Sequence, residues 1–307
     1  MRPDGVDSRP SGLHSLSHRN IAPARHFPPA IIPTDMQTLE IIHRPPAPGY
    51  RGPARPAPLL FVHGAFSGAW IWDETFLPWF SAQGWDSYAV SLRGHGRSAG
   101  RERLDCFGIA DYVEDVLEAA DRCPAPPVLV GHSMGGMIVQ RAPIHRRFPA
   151  AVLMASAPPF GLWESTLGLA WRDPYVFQQM AMLSSFGGKA IDPEAIRRAM
   201  FSDDVPPAEA ARYEPLLQEE SRRVLLDIGG WIPFPPLPAR GFPFLVMGAE
   251  RDLLIPPDQV RATARLVGAE PVILPRMGHT IMLEPGWRTA AERIADWVME
   301  RTAVAAV

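Results

Sequence analysis

The chain has 307 residues, 47% of them hydrophobic, and a formal net charge of -3, which is enough apolar material for one sizeable core and excludes a disordered or fibrous composition. With a pI of 6.3 and no long Lys/Arg run, it lacks the basic face that nucleic acid or an anionic membrane selects; the expected partner is a small molecule, met by a monomer or homodimer. Its two cysteines, Cys106 and Cys123, allow one disulfide at most and show no zinc-site spacing, so neither metal nor cofactor is expected.

Residues 1–33 are rich in Pro, Ser, Arg and His and lack the apolar core of about 7–15 residues that marks a secretory signal. They are read as a disordered extension. No apolar run reaches the ~18 residues of a membrane helix, so a cytoplasmic location without membrane contact is expected. From Met36 onward short apolar segments predict strands over 37–42, 59–62, 87–91, 128–130, 151–155, 244–247 and 271–274, with helices between them. Near-continuous apolar strands alternating with helices indicate an α/β domain with a mostly parallel sheet covered on both faces. The Pro/Gly-rich stretch from Arg44 to Pro58 is too short for a crossover helix and predicts an antiparallel hairpin of the first two strands.

Between 158 and 237 the rhythm breaks. Helical segments are predicted over 171–185, 193–201 and 207–228, with no strand to extend the sheet. The core domain is therefore read as 34–157 plus 238–307, and 158–237 as an inserted helical cap. Aromatic and methionine side chains make an adaptable apolar surface, and Trp163, Met180 and Trp231 of the cap, with Phe66 and His132 of the core, are the expected pocket residues.

Three loops at strand ends carry candidate chemistry. The second strand runs into His63-Gly64-Ala65-Phe66-Ser67-Gly68, where Gly64 lets the backbone turn so that the Ala65 N–H points inward and His63 braces the loop. The fourth runs into Gly131-His132-Ser133-Met134-Gly135 and a helix-like stretch. A serine framed by glycines at a strand-to-helix turn exposes its hydroxyl beside a helix N-terminus. G-x-S-x-G is a common pattern, and it gains weight only with partners: a serine hydroxyl needs an imidazole to take its proton and a carboxylate to orient that imidazole. Asp252 follows the strand over 244–247, with Glu250 as the alternative acid, and His279 follows the last strand. The strand over 151–155 is followed by Ser156-Ala157-Pro158-Pro159, without a carboxylate. Ser133, Asp252 and His279 then stand in the chain order nucleophile, acid, base. The backbone N–H groups of Ala65 and Met134, the latter at a helix start, are the expected donors to a tetrahedral oxyanion.

His63-Gly64, Arg93-Gly94-His95-Gly96-Arg97-Ser98, Gly131 to Gly136 and the Asp252 and His279 loops occur together in this order. With them the chain resembles a cap-bearing, esterase-like serine hydrolase of the α/β-hydrolase superfamily from about Met36 onward. The resemblance implies an α/β-hydrolase fold, a mostly parallel central sheet flanked by helices with an inserted helical cap. It also implies hydrolysis of a carboxylic ester of a small, largely apolar substrate through an acyl-serine on Ser133. It makes the Arg93 to Ser98 turn structural, and Ser91-Leu92 replaces the aspartate usual there. Haloalkane dehalogenases and epoxide hydrolases resemble the fold but carry aspartate at the position of Ser133. The stretch from His63 to Trp72 is similar to the corresponding loop of plant methylesterases and hydroxynitrile lyases. A carbon–carbon bond hydrolase, thioesterase or lactonase on the same fold is the alternative reading, and a hydrolase-like binding protein with little turnover is the second.

Overall fold

A computed structural model describes residues 38–186, 191–230, 236–238 and 241–304. The predicted extension over 1–33 lies outside the described residues, as does Trp231. From Asp35 on, the chain is one compact unit.

The sheet has seven strands, β1 (Ile41–Arg44), β2 (Leu59–Val62), β3 (Ser87–Val90), β4 (Val128–His132), β5 (Ala151–Met154), β6 (Phe244–Ala249) and β7 (Pro271–Leu274), in the order β1-β3-β2-β4-β5-β6-β7. Every residue of β2 through β6 is buried, whereas β1 and β7 are partly exposed. That is why the central strands read as unbroken apolar runs: helices cover both of their faces. The hairpin expected of β1 and β2 does not form. β1 is antiparallel, but it pairs with β3, Ile41 opposite Val90 and Arg44 opposite Ser87. The linker is long enough to pass over β3, and β2 is enclosed by parallel β3 and β4.

The helices that precede the fourth strand are α1 (Trp70–Asp73), α2 (Phe76–Ala82) and α3 (Ile109–Asp121); α4 (Met134–His145) follows it. α5 (Trp163–Arg172), α6 (Pro174–Phe186), α7 (Pro193–Met200), α8 (Pro207–Ala210) and α9 (Arg222–Ile228) lie between β5 and β6, and α10 (Pro257–Val267) and α11 (Trp287–Val304) follow β6 and β7. Alternation along β2 divides the core. Leu59 and Phe61 pack with Trp72, Phe76, Phe80 and Ile294 on one face, while Leu60 and Val62 pack with Tyr112, Met137 and Val260 on the other. Among the described residues no helix is long and apolar enough to cross a membrane.

Two predicted helices are each broken. Pro174 splits the stretch predicted over 171–185, leaving Trp171 and Arg172 at the end of α5 and the rest in α6, because it drives Asp173 out of the helical region, to φ -147° and ψ 83°; Asp173 Oδ1 then accepts the Val176 N–H at 3.1 Å. The stretch over 207–228 becomes α8, a 3₁₀ turn at Glu214–Leu216, an extended segment and α9. Ser221 begins α9 as an N-cap, its hydroxyl accepting the Val224 N–H at 3.2 Å. The Ser221-x-x-Val224 start is legible in the sequence once Pro215 is taken as a helix boundary.

The strand order reverses direction about β2: the chain steps from β2 to β3 on one side, then to β4 on the other. The crevice at such a switch, beyond the carboxyl ends of the strands, is where α/β sheets bind ligands. Val62 lies opposite Gly131, so the loops after β2 and β4 emerge side by side.

Candidate active site

Ser133 joins β4 to α4 in a conformation that L-residues avoid, φ 53° and ψ -117°. The flanking glycines make this turn sterically feasible. A Cβ on Gly135 would lie 2.4 Å from the Val62 carbonyl oxygen, and one on Gly131 would lie 2.3 Å from the Gly135 carbonyl oxygen. The two glycines therefore let the turn nest against β2, and Ser133 lines the cavity above it.

His279 is buried in the loop after β7, and its Nδ1 lies 2.8 Å from Asp252 Oδ2. The other oxygen of Asp252, Oδ1, accepts the N–H groups of Leu254 and Ile255, each at 2.8 Å. Glu250, the alternative acid, is exposed and accepts the Arg276 N–H at 2.8 Å, away from the histidine. His279 lines the same cavity as Ser133. No hydrogen bond joins their side chains among the described residues; this contact commonly tightens only when substrate is bound.

Two further residues hold the His279 loop. His132 Nε2 donates to the His279 carbonyl at 3.0 Å, an assignment that follows because a carbonyl only accepts. Burial first, then the neighbouring His279, holds the His132 pKa well below its ordinary value, so the ring is neutral. Glu284, also buried, accepts the Gly278 N–H at 3.0 Å and both the N–H and the hydroxyl of Ser202, at 2.7 and 2.6 Å. Nothing in the sequence pattern marks Glu284, since a buried carboxylate and a solvated one look alike there.

Ala65 lines the cavity beside Ser133, and Met134 is the first residue of α4, where backbone N–H groups lack partners within the helix. His63 fixes the peptide that carries the Ala65 N–H. Leu92 donates its N–H to His63 Nε2 at 3.0 Å, so the ring proton sits on Nδ1 and is donated to the Gly64 carbonyl at 2.8 Å. Burial first and the nearby His95 second push the His63 pKa down to about 3, keeping the ring neutral. In a trans peptide C=O and N–H point opposite ways, so fixing the Gly64 carbonyl directs the Ala65 N–H to the other side. The Ser91 replacement in the next loop is also compensated: Ser91 donates to Glu40 Oε2 at 2.8 Å and accepts the Ala69 N–H at 2.9 Å. A carboxylate from the segment ahead of β1 thus reaches this turn.

His95 is not at the reacting centre but forms a fully buried pair with Glu220, Nε2 to Oε2 3.0 Å, and donates Nδ1–H to the Arg93 carbonyl at 3.1 Å. Burial lowers the His95 pKa, but the Glu220 charge and hydrogen bond outweigh it and hold the value above the ordinary 6.5. Burial likewise raises the Glu220 pKa, and His95, Ser221 and Tyr112 outweigh it, leaving a net value below 4.5. The stability contributed through His95 is therefore fully present below pH 6.5 and lost as pH rises through the raised value. That contributed through Glu220 is present above pH 4.5 and lost as pH falls through the lowered value. Urea midpoints across pH should show this plateau, and Glu220→Gln should flatten the alkaline decline; an unchanged alkaline slope in that variant would contradict the assignment.

The cavity measures about 610 Å³ and takes most of its wall from the segment between β5 and β6, including Leu162, Leu169, Phe177, Met180, Ile196 and Leu225. Phe66, His132 and Met180 line it. Trp163, expected to do so, does not: Leu162, Ser165, Thr166 and Leu169 of the same region turn inward, while Trp163, Leu167 and Trp171 lie half or more exposed on the other side of α5. Helical spacing separates the two faces. Polar groups enter the wall at Glu214, Gln218 and Glu219. Among the described residues no group of three or more His, Cys, Asp or Glu side chains is arranged to hold a metal ion.

Known proteins agree with this architecture. The chain is 26% identical over 235 residues to a monoacylglycerol lipase of Mycolicibacterium smegmatis, covering 72% of this chain and 80% of the lipase. It is 34% identical to Methylesterase 3 of Arabidopsis thaliana over only 86 residues, 27% of this chain and 32% of the esterase. Among solved structures, the monoacylglycerol lipase of Paleococcus ferrophilus superposes with a TM-score of 0.63 at 17% identity, covering 86% of this chain and all of the lipase (100%). An esterase of Thermogutta terrifontis superposes at 0.62 and 17% identity, over 87% of this chain and 97% of that one. The model of the Alpha/beta hydrolase family matches residues 59–296, and the chain belongs to that family.

Proposed function

We propose that this hydrolase cleaves a carboxylic ester of a small, largely apolar substrate through an acyl-enzyme on Ser133, beneath a cap formed by the helices between β5 and β6. One observation carries the reading: Ser133 and His279 open on the same apolar cavity, and Asp252 holds the far nitrogen of His279 at 2.8 Å. Relatives named monoacylglycerol lipase and methylesterase support an ester as the bond attacked.

With Nδ1–H donated to Asp252, His279 presents a bare Nε2 to the cavity. Ser133 Oγ adds to the ester carbonyl carbon as its proton passes to Nε2, and the carbonyl oxygen becomes an oxyanion facing the Ala65 and Met134 N–H groups. Collapse breaks the carbon–oxygen bond to the alcohol, which leaves with the proton from Nε2. Water then attacks the acyl carbon and gives a proton to Nε2. The second tetrahedral adduct expels Ser133 Oγ, which regains that proton, and the carboxylic acid departs. Asp252 accepts the Nδ1–H throughout and supports the imidazolium that forms twice.

The apolar wall sets the expected preference. Each methylene moved from water to an apolar wall is worth about 0.8 kcal/mol, or about fourfold in kcat/KM. For p-nitrophenyl acyl esters kcat/KM should climb by that factor per added carbon until the chain meets the end of the cavity, then fall. A panel of such esters alongside a vinylogous diketone measures this. Flat or absent ester turnover, with turnover of the diketone, would transfer the reading to carbon–carbon cleavage; no turnover and no fluorophosphonate labelling of Ser133 would leave a binding protein.

A further inference from the structure

Phe66 follows the expected oxyanion donor Ala65 and is itself strained, with φ 63°. A bulky residue in the left-handed region persists only where its surroundings over-determine it. Both of its backbone groups are held by one short segment, the extended Gln218–Ser221 stretch that replaces the predicted helix interior. The Phe66 N–H donates to Glu220 Oε2 at 3.3 Å, and the Phe66 carbonyl accepts the Gln218 N–H at 3.0 Å. Gln218 reaches further with its side chain, accepting the Gly96 N–H at 2.8 Å and donating to the Gly94 carbonyl at 3.3 Å.

Glu220 is buried and makes more contacts than packing requires. Besides Phe66 and His95 on Oε2, its Oε1 accepts the Tyr112 hydroxyl at 2.9 Å and the Ser221 N–H at 2.8 Å. An ion pair sealed from water seldom adds net stability against an apolar replacement, so a structural role alone accounts poorly for it. What the pair does is hold one carboxylate oxygen, rigidly oriented by His95 and Tyr112, against the peptide next to the one that carries the Ala65 N–H.

We propose that Glu220 is a positioning residue for ester hydrolysis: through the Phe66 N–H it locks the loop after β2 so that the Ala65 N–H aims at the transition-state oxyanion. The proposal rests on the acyl-Ser133 reading above. His63 fixes the Gly64–Ala65 peptide from the core side, and Glu220 fixes the following peptide from the cap side. The cap thus contributes a hydrogen bond to the geometry of the oxyanion hole as well as walls for the substrate. Glu220 touches no substrate; its effect passes entirely through Phe66.

The experiment compares the parent with Glu220→Ala, Glu220→Gln and Tyr112→Phe, each with active sites counted by a fluorophosphonate so that kcat refers to folded, reactive enzyme. Removing one direct oxyanion donor costs about 10²–10³ in kcat; misaiming a donor is expected to cost about tenfold or more. Glu220→Ala should lower kcat per titrated site by that factor with KM within about threefold, and weaken a trifluoromethyl ketone that forms a hemiketal by the same ratio. Glu220→Gln, which keeps an oxygen for the Phe66 N–H, should recover part of the loss. Tyr112→Phe, which removes only a hydroxyl, should show a smaller loss of the same kind and decides the matter where Glu220→Ala does not fold. Unchanged kcat per titrated site in the folded variants, or a rise in KM alone, overturns the proposal. A parent chain that neither labels nor hydrolyses esters would instead overturn the acyl-Ser133 reading.

Discussion

Ser133→Ala is expected to fold like the parent and to lose about 10⁶ in kcat on its best p-nitrophenyl ester, the size of loss found when a nucleophile that acts as part of a unit is removed. The fold should survive because only one oxygen leaves and the Cβ stays, so the backbone at φ 53° is as strained as before. Ser133→Gly makes a sharper companion. It abolishes activity equally, but it also removes the Cβ that makes this conformation costly, a strain of order 1–3 kcal/mol set against a glycine entropy cost of roughly 0.5–1 kcal/mol. Urea denaturation should find Ser133→Gly more stable than the parent by about 1 kcal/mol, with Ser133→Ala unchanged. Near-parental turnover in either variant would remove Ser133 from the mechanism. Equal stability of all three proteins would show that the turn stores no strain.

That strain explains why the turn from Gly131 to Gly135 was the most legible part of the sequence. A Cβ added to Gly131 or Gly135 would lie 2.3 or 2.4 Å from a carbonyl oxygen, so the requirement is local and leaves a local trace. The strands were legible for a similar reason: β2 to β6 are buried throughout, and burial on both faces writes itself as an apolar run. The partner of β1 was not legible, because a Pro/Gly-rich linker of that length can turn back on β2 or pass over β3, and sheet order decides which. The cavity wall was harder still. Trp163 and Leu162 are adjacent and both apolar, yet only Leu162 faces the cavity, a difference set by how α5 is rotated against its neighbours. Hardest were buried polar residues such as Glu220 and Glu284, whose side-chain partners His95 and Ser202 lie 125 and 82 residues away. A carboxylate in sequence carries no mark of what will desolvate it.

Asp252→Asn is expected to leave the fold intact and lower kcat by about 10⁴, the size of effect seen when the wrong histidine tautomer is enforced in a serine–histidine–aspartate site. The reason lies in how Asp252 is held. Its Oδ1 accepts two backbone N–H groups, from Leu254 and Ile255, and its Oδ2 accepts His279 Nδ1–H. An asparagine has one oxygen and one NH₂. Placing the NH₂ against two N–H donors would leave both unpaired, at about 1–3 kcal/mol for the buried one of Ile255, so the oxygen takes the Oδ1 position and the NH₂ faces His279. Nδ1 must then accept, the ring proton moves to Nε2, and the nitrogen that should take the Ser133 proton is already protonated. The loss should therefore appear in kcat with KM nearly unchanged, and fluorophosphonate labelling of Ser133 should slow in proportion. Asp252→Ala differs in kind: it strips both backbone donors of their acceptor, and should lower the urea midpoint as well as kcat. If Asp252→Asn kept more than about a tenth of parental kcat, well above what tautomer inversion allows, the orienting role would pass from Asp252. Glu250, the nearest other carboxylate in sequence, faces the Arg276 N–H and would have to reorganise its loop to assume it.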